Sequence, residues 1–123
     1  GRLYFHINAS GDVEPCAFSQ FAADNIRGKS LKEILQNPLF KAYQKRQPFN
    51  ENHLVPCPII DNPQALRDIV AESGAHPTCP GAEKVLVGEV AEHLNRVSAL
   101  WQKEADQIKL ETKQQKDMVK VHG

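Results

Sequence analysis

The stretch from Tyr4 to Phe18 reads YFHINASGDVEPCAF and predicts a β-hairpin that carries one cysteine, Cys16. Apolar residues stand on both sides of a polar turn signal, Ser10-Gly11-Asp12. Gly11 suits the turn because a residue without a Cβ adopts a positive φ without steric conflict. Glu14 flanks the turn and is expected to face solvent. The stretch therefore predicts a hairpin that holds a thiol at a fixed place.

Three further patterns predict helices with defined ends. Ser30-Leu31-Lys32-Glu33 is a capping box, in which the serine hydroxyl and the glutamate carboxylate bond each other's backbone amides. Asn37-Pro38 ends that short helix and begins the next, with asparagine as N-cap and proline in the first position. Asn62-Pro63 repeats this pattern, and Gly74 is the stop signal of the third helix.

The C-terminal part of the chain predicts one long helix. From Ala82 to about Lys116, apolar residues recur at steps of three and four. Beyond Leu110 this stripe stops and the chain becomes charged, so we expect that end to project from the body or to pack on another molecule. The predicted fold class is α+β: a small antiparallel β-hairpin followed by short capped helices and a long C-terminal helix. We place a domain over residues 1–74, and a linker and the long helix over residues 75–123.

Composition narrows the classes of function. The chain has 123 residues, 41% of them hydrophobic, which suits one small core. Acidic and basic residues balance at 15 each, and no basic stripe predicts binding to nucleic acid. No apolar run has the length of a membrane span. The chain begins at Gly1 without an initiating methionine and close to a predicted strand, so we expect it to be a fragment of a longer protein.

The three cysteines are candidate metal ligands. An odd count without a CxxC pair is untypical of a disulfide scaffold and favours reduced thiols in the cytoplasm. Cys57 stands between Pro56 and Pro58, and the following proline favours an extended backbone at the cysteine. Cys79 lies in a segment rich in proline and glycine. From spacing alone, buried thiols without a function, a zinc site and a shared metal site all remain open.

Two histidines extend these possibilities. His53 precedes Cys57 by four residues. It is either a metal ligand or an ordinary loop residue. His76 precedes Cys79 by three, a spacing seen in zinc sites, although no second pair accompanies it. The sequence contains no P-loop, GxGxxG, GxSxG or HExxH motif, so the common nucleotide-binding, hydrolase and metalloprotease signatures are excluded.

A family resemblance adds to this interpretation. The runs HINASGDVEPCAF, NIRGKSLKEILQNPLFKAY and QPFNENHLVPCPIIDNP resemble the C-terminal part of radical SAM enzymes that carry a SPASM or shortened "twitch" extension. That extension opens with a cysteine, a spacer and Gly-x-x-x-x-Cys, and the residues from Gly11 to Cys16 match its second half. The first cysteine of the motif would fall at or before Gly1. The resemblance covers about Leu3 to Gly74.

The resemblance implies a set of ligands. Cys16 matches a ligand of an auxiliary [4Fe-4S] cluster, and Cys57 is similar in context to a later ligand. Cys79 is a further candidate ligand, although its position matches no motif of the family. The later pattern CxxCxxxxxC is absent, so a second auxiliary cluster is not supported. The CxxxCxxC motif for the cluster that cleaves S-adenosylmethionine is also absent, so S-adenosylmethionine would bind only in the parent protein.

The resemblance thus predicts the auxiliary-cluster domain of a radical SAM enzyme, which caps the active site, binds substrate or passes an electron and is not catalytic alone. Its partner would be the N-terminal radical SAM barrel, and the long helix is a candidate surface for self-association. Because the ligand set is incomplete, we expect the cysteines of this chain to be free or to hold a different metal. The alternative is a non-catalytic zinc-binding or helical protein-interaction module.

Overall fold

The fold was obtained as a computed structural model, which describes residues 4–122, with the side chains of residues 119–122 left out. It confirms the α+β class. Short strands and helices come first, and one long helix follows. The elements are β1 (His6–Ile7), β2 (Val13–Glu14), β3 (Phe21–Ala22), α1 (Leu31–Ile34), α2 (Pro38–Lys45), α3 (Pro63–Ser73), β4 (His76–Pro77), a 3₁₀ turn (Ala82–Val85) and α4 (Gly88–His122).

Two antiparallel strand pairs organise the N-terminal part. The predicted hairpin is confirmed, with His6 opposite Glu14 in the pair of β1 and β2. The second pair joins β3 to β4, with Phe21 opposite Pro77. This second pair was not predicted, and it lies partly within the segment interpreted as a linker. The domain boundary at residue 74 stays a prediction.

The capped helices form as their sequences predict, with one exception. Ser30 and Glu33 make both bonds of the capping box, and the side chain of Asn37 accepts from the amide of Phe40. Gly74 ends α3 in the left-handed conformation, with φ of 64°. The prediction for Asn62 is wrong in part, because its side chain makes no capping bond.

Helix α2 connects two apolar clusters. Its Leu39 and Tyr43 pack with Leu66 and Ile69 of α3 in the larger cluster. On its other side, Phe40 packs with buried residues of the hairpin and α1 in the smaller cluster. Burying one such side chain stabilises a fold by about 1.5–3 kcal/mol. The hairpin and α3 are therefore positioned by the same helix.

The expectation that Glu14 faces solvent is wrong. Its side chain is only 3% exposed, and its carboxylate accepts from Nδ1 of His6 at 2.6 Å, with that ring nitrogen taken as protonated. It also accepts from Nδ2 of Asn8 at 3.4 Å and from the hydroxyl of Thr78. The segment after α3 supplies that hydroxyl. The alternation of charged and apolar residues around the turn could not show that the segment containing Thr78 covers Glu14.

The long helix begins later than its apolar pattern predicts. Residues 82–85 form a 3₁₀ turn, and Gly88 has φ of 79°, so the chain turns at the first residue of α4. Arg67 of α3 holds the new helix by donating to the carbonyl of Ala91 at 2.9 Å and to Oδ1 of Asn95 at 2.8 Å. The described side chains from residue 111 to residue 118 are all exposed, so the charged end projects from the body. Of the described helices, none has the length and apolar character to cross a bilayer.

Candidate metal centre

Cys16 and Cys57 line one cavity of about 630 Å³. The two residues are 41 positions apart in the sequence (57 − 16), and the fold brings them to the same concave surface. Most of the other lining is apolar or aromatic, with a few polar side chains. The remaining lining residues are Tyr4, Phe18, Tyr43, Gln47, Pro48, Phe49, Asn50, Glu51, His53, Pro56 and Pro58.

The hairpin positions Cys16 through backbone contacts. Cys16 follows β2 by two residues, and its carbonyl oxygen accepts from the amide of Ser19 at 3.0 Å. The resulting tight turn directs the amide of Phe18 toward the Sγ of Cys16 at 3.5 Å. The hydroxyl of Tyr4 donates to the same sulfur, also at 3.5 Å. The hairpin thus supplies both the thiol and two donors to it.

A loop without regular secondary structure positions Cys57, as predicted. The amide of Cys57 donates to Oδ2 of Asp61 at 2.8 Å, and its carbonyl accepts from the amides of Asp61 and Asn62 at 3.1 and 2.9 Å. The side chain of Asn62 donates to the same carbonyl at 3.1 Å. This bond uses the asparagine side chain that the sequence assigned to capping α3. Asn62 therefore positions the cysteine loop.

The two sulfurs share one pattern of hydrogen bonding. The Sγ of Cys57 accepts from the amide of Ile59 at 3.4 Å, as the Sγ of Cys16 accepts from the amide of Phe18. In both cases the donor lies two residues after the cysteine. Amide donors stabilise negative charge on sulfur, and hydrogen bonds to the sulfurs set the potential of iron–sulfur clusters. Both cysteines are half-buried free thiols. The donor set therefore fits thiolate ligation of an iron–sulfur cluster at this cavity.

Tyr4 is a feature of the site that sequence reasoning missed. Its ring belongs to the predicted apolar side of the hairpin, yet it is exposed and its hydroxyl contacts Cys16. That hydrogen bond, together with the electrostatic effect of Cys16, raises the pKa of Tyr4. The tyrosine therefore remains a protonated donor near neutral pH. One signal in the sequence indicated this role: Tyr4 carries a hydroxyl and stands just before the hairpin that leads to Cys16.

Cys79 does not line the cavity formed around Cys16 and Cys57. Its thiol donates to Oε1 of Gln20 at 2.9 Å, and its side chain packs against the larger apolar cluster. His53 does line the cavity, whereas His76 lies in β4. Within residues 4–118, no three His, Cys, Asp or Glu side chains are grouped as a metal site. The described chain thus brings two candidate ligands together and leaves Cys79 apart.

Comparison with protein families identifies the domain. Residues 1–58 match the family model of SPASM, described as an iron-sulfur cluster-binding domain. Comparisons with curated proteins and with solved structures gave no significant match. The first 58 residues, just under half of the chain, therefore match a SPASM-type domain, and the matched segment includes both Cys16 and Cys57. This part of the chain is an auxiliary iron–sulfur domain.

Proposed function

We propose that this chain is the C-terminal auxiliary-cluster domain of a radical SAM enzyme, with Cys16 and Cys57 as thiolate ligands of a [4Fe-4S] cluster. The observation that carries the proposal is the shared cavity, in which both sulfurs accept an amide two residues further along the chain. A cluster of this type supplies one-electron transfer or a coordination position, and it takes four protein ligands when all are cysteines.

The remaining ligands come from outside the pair. The SPASM motif places a cysteine before its Gly-x-x-x-x-Cys half, so we assign a third ligand to a residue preceding Gly1. The fourth would come from another part of the parent protein, or from Cys79 if the segment around it moves. In the parent, the N-terminal radical SAM barrel would bind S-adenosylmethionine and carry out the reaction. The reducing cytoplasm would keep the two free thiols available for iron.

The residues of this chain have defined tasks in the proposal. The amides of Phe18 and Ile59 stabilise the charged sulfurs of the cysteines. Exposed Phe18 stands at the edge of the cavity, where it would contact the barrel or the substrate. The domain thus caps the active site and holds a redox centre close to it.

Anaerobic reconstitution with iron and sulfide tests the proposal. The protein used would be the parent, or this chain extended upstream of Gly1. We expect iron and sulfide to bind in equal amounts, with a broad absorbance in the blue part of the visible spectrum. Cys16→Ala and Cys57→Ala should each abolish or strongly reduce this absorbance. Binding of zinc alone, or of no metal, would contradict the assignment and favour the zinc-binding alternative, for which His53 offers a nitrogen ligand on the same cavity.

A second candidate function concerns α4. The helix exposes Val90, Val97 and Ile108, which recur at multiples of its turn. This exposed stripe favours self-association of the chain through α4, the interaction role considered above. The molar mass by light scattering would test it, comparing the protein with Val97→Lys and with Lys103→Glu as a control outside the stripe. A monomeric wild-type protein would exclude self-association.

A further inference from the structure

Tyr43 is a buried residue on the wall of the cavity that contains Cys16 and Cys57. It belongs to α2, is 2% exposed, and packs in the larger apolar cluster. Phe49 contacts its ring edge-to-face, with ring centres 5.3 Å apart and the planes at 86°. These contacts fix the direction of the side chain. The Tyr43 side chain is therefore held in one place on the wall of the cavity that the two cysteines also line.

That hydroxyl has no hydrogen-bond partner among the residues that the structure describes. The neighbouring hydroxyl of Ser19 is buried as well, and it too makes no hydrogen bond of acceptable geometry there. A buried polar group without a partner destabilises a fold by about 1–3 kcal/mol. Such groups in native proteins are therefore expected to serve a ligand, an ion or ordered water.

The electrostatic surroundings of Tyr43 indicate where its partner would lie. Burial raises the pKa of Tyr43, and the nearby Ser19 hydroxyl opposes this in part. Negative charge on Cys16 and on Cys57 raises the pKa further, and all three residues line the same cavity. The group thus stays protonated and lines the cavity that both cysteines also line. It is a donor with no acceptor of good geometry among the described residues, and it lines the cavity where thiolate and sulfide acceptors would be bound.

We propose that the Tyr43 hydroxyl donates a hydrogen bond to a sulfur atom of the cluster bound at this cavity and thereby raises the reduction potential of that cluster. The inference rests on the proposed function, since it requires a cluster at Cys16 and Cys57. Its physical basis is that reduction adds negative charge to the sulfurs. A donor held in an apolar wall stabilises the reduced state more than the oxidised one.

Tyr4 provides the comparison within the same site. It also donates to a sulfur, the Sγ of Cys16, but its ring is exposed. Water can replace an exposed donor, so removal of the Tyr4 hydroxyl should change the potential less than removal of the Tyr43 hydroxyl. The two tyrosines therefore form a matched pair for mutagenesis. The same Tyr→Phe substitution can be made at a buried position, Tyr43, and at an exposed position, Tyr4.

The test is a redox titration of the cluster-loaded parent protein, followed by electron paramagnetic resonance. Tyr43→Phe keeps the ring and its contact with Phe49 while removing the donor. We expect the equilibrium constant for reduction to fall about tenfold, which is about 59 mV for one electron. Tyr4→Phe should give a smaller shift in the same direction. An unchanged potential in Tyr43→Phe, at unchanged cluster content, would overturn this inference and leave the proposed function intact.

A second variant decides the question if Tyr43→Phe takes up no cluster. Site-specific replacement of Tyr43 by 3,5-difluorotyrosine keeps the hydroxyl and makes it a stronger donor. The reduction potential should then rise above that of the wild-type protein. An unchanged or lower potential would contradict the inference. A wild-type protein that binds no cluster would contradict the proposed function, and this inference with it.

Discussion

The hydroxyl of Thr78 donates a hydrogen bond to the buried carboxylate of Glu14, and so joins the first hairpin to the segment that follows α3. Thr78→Val removes this donor at nearly constant volume. Because Glu14 stays buried with one partner fewer, the free energy of unfolding should fall by about 1–3 kcal/mol. Urea denaturation measures the change. Thr78→Ser keeps the hydroxyl and should lose less stability, and equal losses in the two variants would show that the hydrogen bond contributes nothing.

Gly11 combines a conformational with a spatial requirement. Its φ is +89°, and an added Cβ would lie 2.8 Å from Oδ1 of Asn25. Gly11→Ala should therefore destabilise the protein by more than the ~1–2 kcal/mol of a left-handed residue alone. Gly74→Ala, with φ of +64° and open space around it, isolates the conformational part. Gly28→Ala, with nothing within 4 Å and an ordinary φ, is the control for added volume.

Thermal unfolding of the three glycine variants should rank them, with Gly11→Ala the least stable and Gly28→Ala closest to the wild-type protein. Equal melting temperatures for Gly11→Ala and Gly74→Ala would show that the Asn25 side chain moves aside without loss. The interpretation of the hairpin turn as tightly packed would then be wrong.

Asp12 should make stability depend on pH in the acidic range. The amide of Asn25 bonds its carboxylate and lowers its pKa, with smaller contributions from Asn8 and from the charges of His76 and Arg27. Since the folded pKa lies below that of about 3.9 in the unfolded chain, ionised Asp12 stabilises the fold above that pH. This stabilisation is lost as the pH falls through the folded value. Asp12→Asn should therefore flatten the curve of unfolding free energy against pH below about pH 4.

Asn25→Ala removes the main donor to Asp12 and is expected to flatten the same acidic region. Chemical denaturation at a series of pH values between 2 and 6 would measure both variants. Curves that run parallel to the wild type throughout would exclude a contribution from this pair.

In the position that the structure gives it, Cys79 should not be needed to bind the proposed cluster. Its thiol bonds Gln20 and does not line the cavity of Cys16 and Cys57. Cys79→Ala in the reconstituted parent protein should therefore keep the iron and sulfide content of the wild type. A loss as large as that of Cys57→Ala would instead make Cys79 the fourth ligand, and would require the segment around β4 to move on cluster binding.

Local signals predicted much of the fold. The caps at Ser30 and Asn37 and the stop at Gly74 depend on side chains that act on backbone within a few residues, and all three are confirmed. The pairing of β3 with β4 was missed, because its two strands are two residues each and too short to show a periodic pattern. Burial of Glu14 was missed for a related reason, since the covering Thr78 lies 64 residues away.

The candidate site divides in the same way. Two candidate ligands could be predicted from residues close to each cysteine in the sequence. For Cys16 the signal was its spacing from Gly11, and for Cys57 it was the prolines on both sides. That the two sulfurs share one cavity depends on the packing of α2 against the hairpin and α3, which no local pattern contains. The roles of Tyr4 and Tyr43 were also hidden, because each hydroxyl meets the site only after the chain has folded.

The backbone of Cys57 has a consequence for cluster assembly. Its amide and carbonyl are engaged by Asp61 and Asn62 with only the protein present. Fixing the backbone of one residue costs about 1–2 kcal/mol in conformational entropy. Folding of the domain bears that cost at Cys57, so incoming iron would meet a preorganised ligand. Since about 1.4 kcal/mol corresponds to a tenfold change in affinity, this loop geometry would favour uptake of iron at the proposed site from a dilute supply.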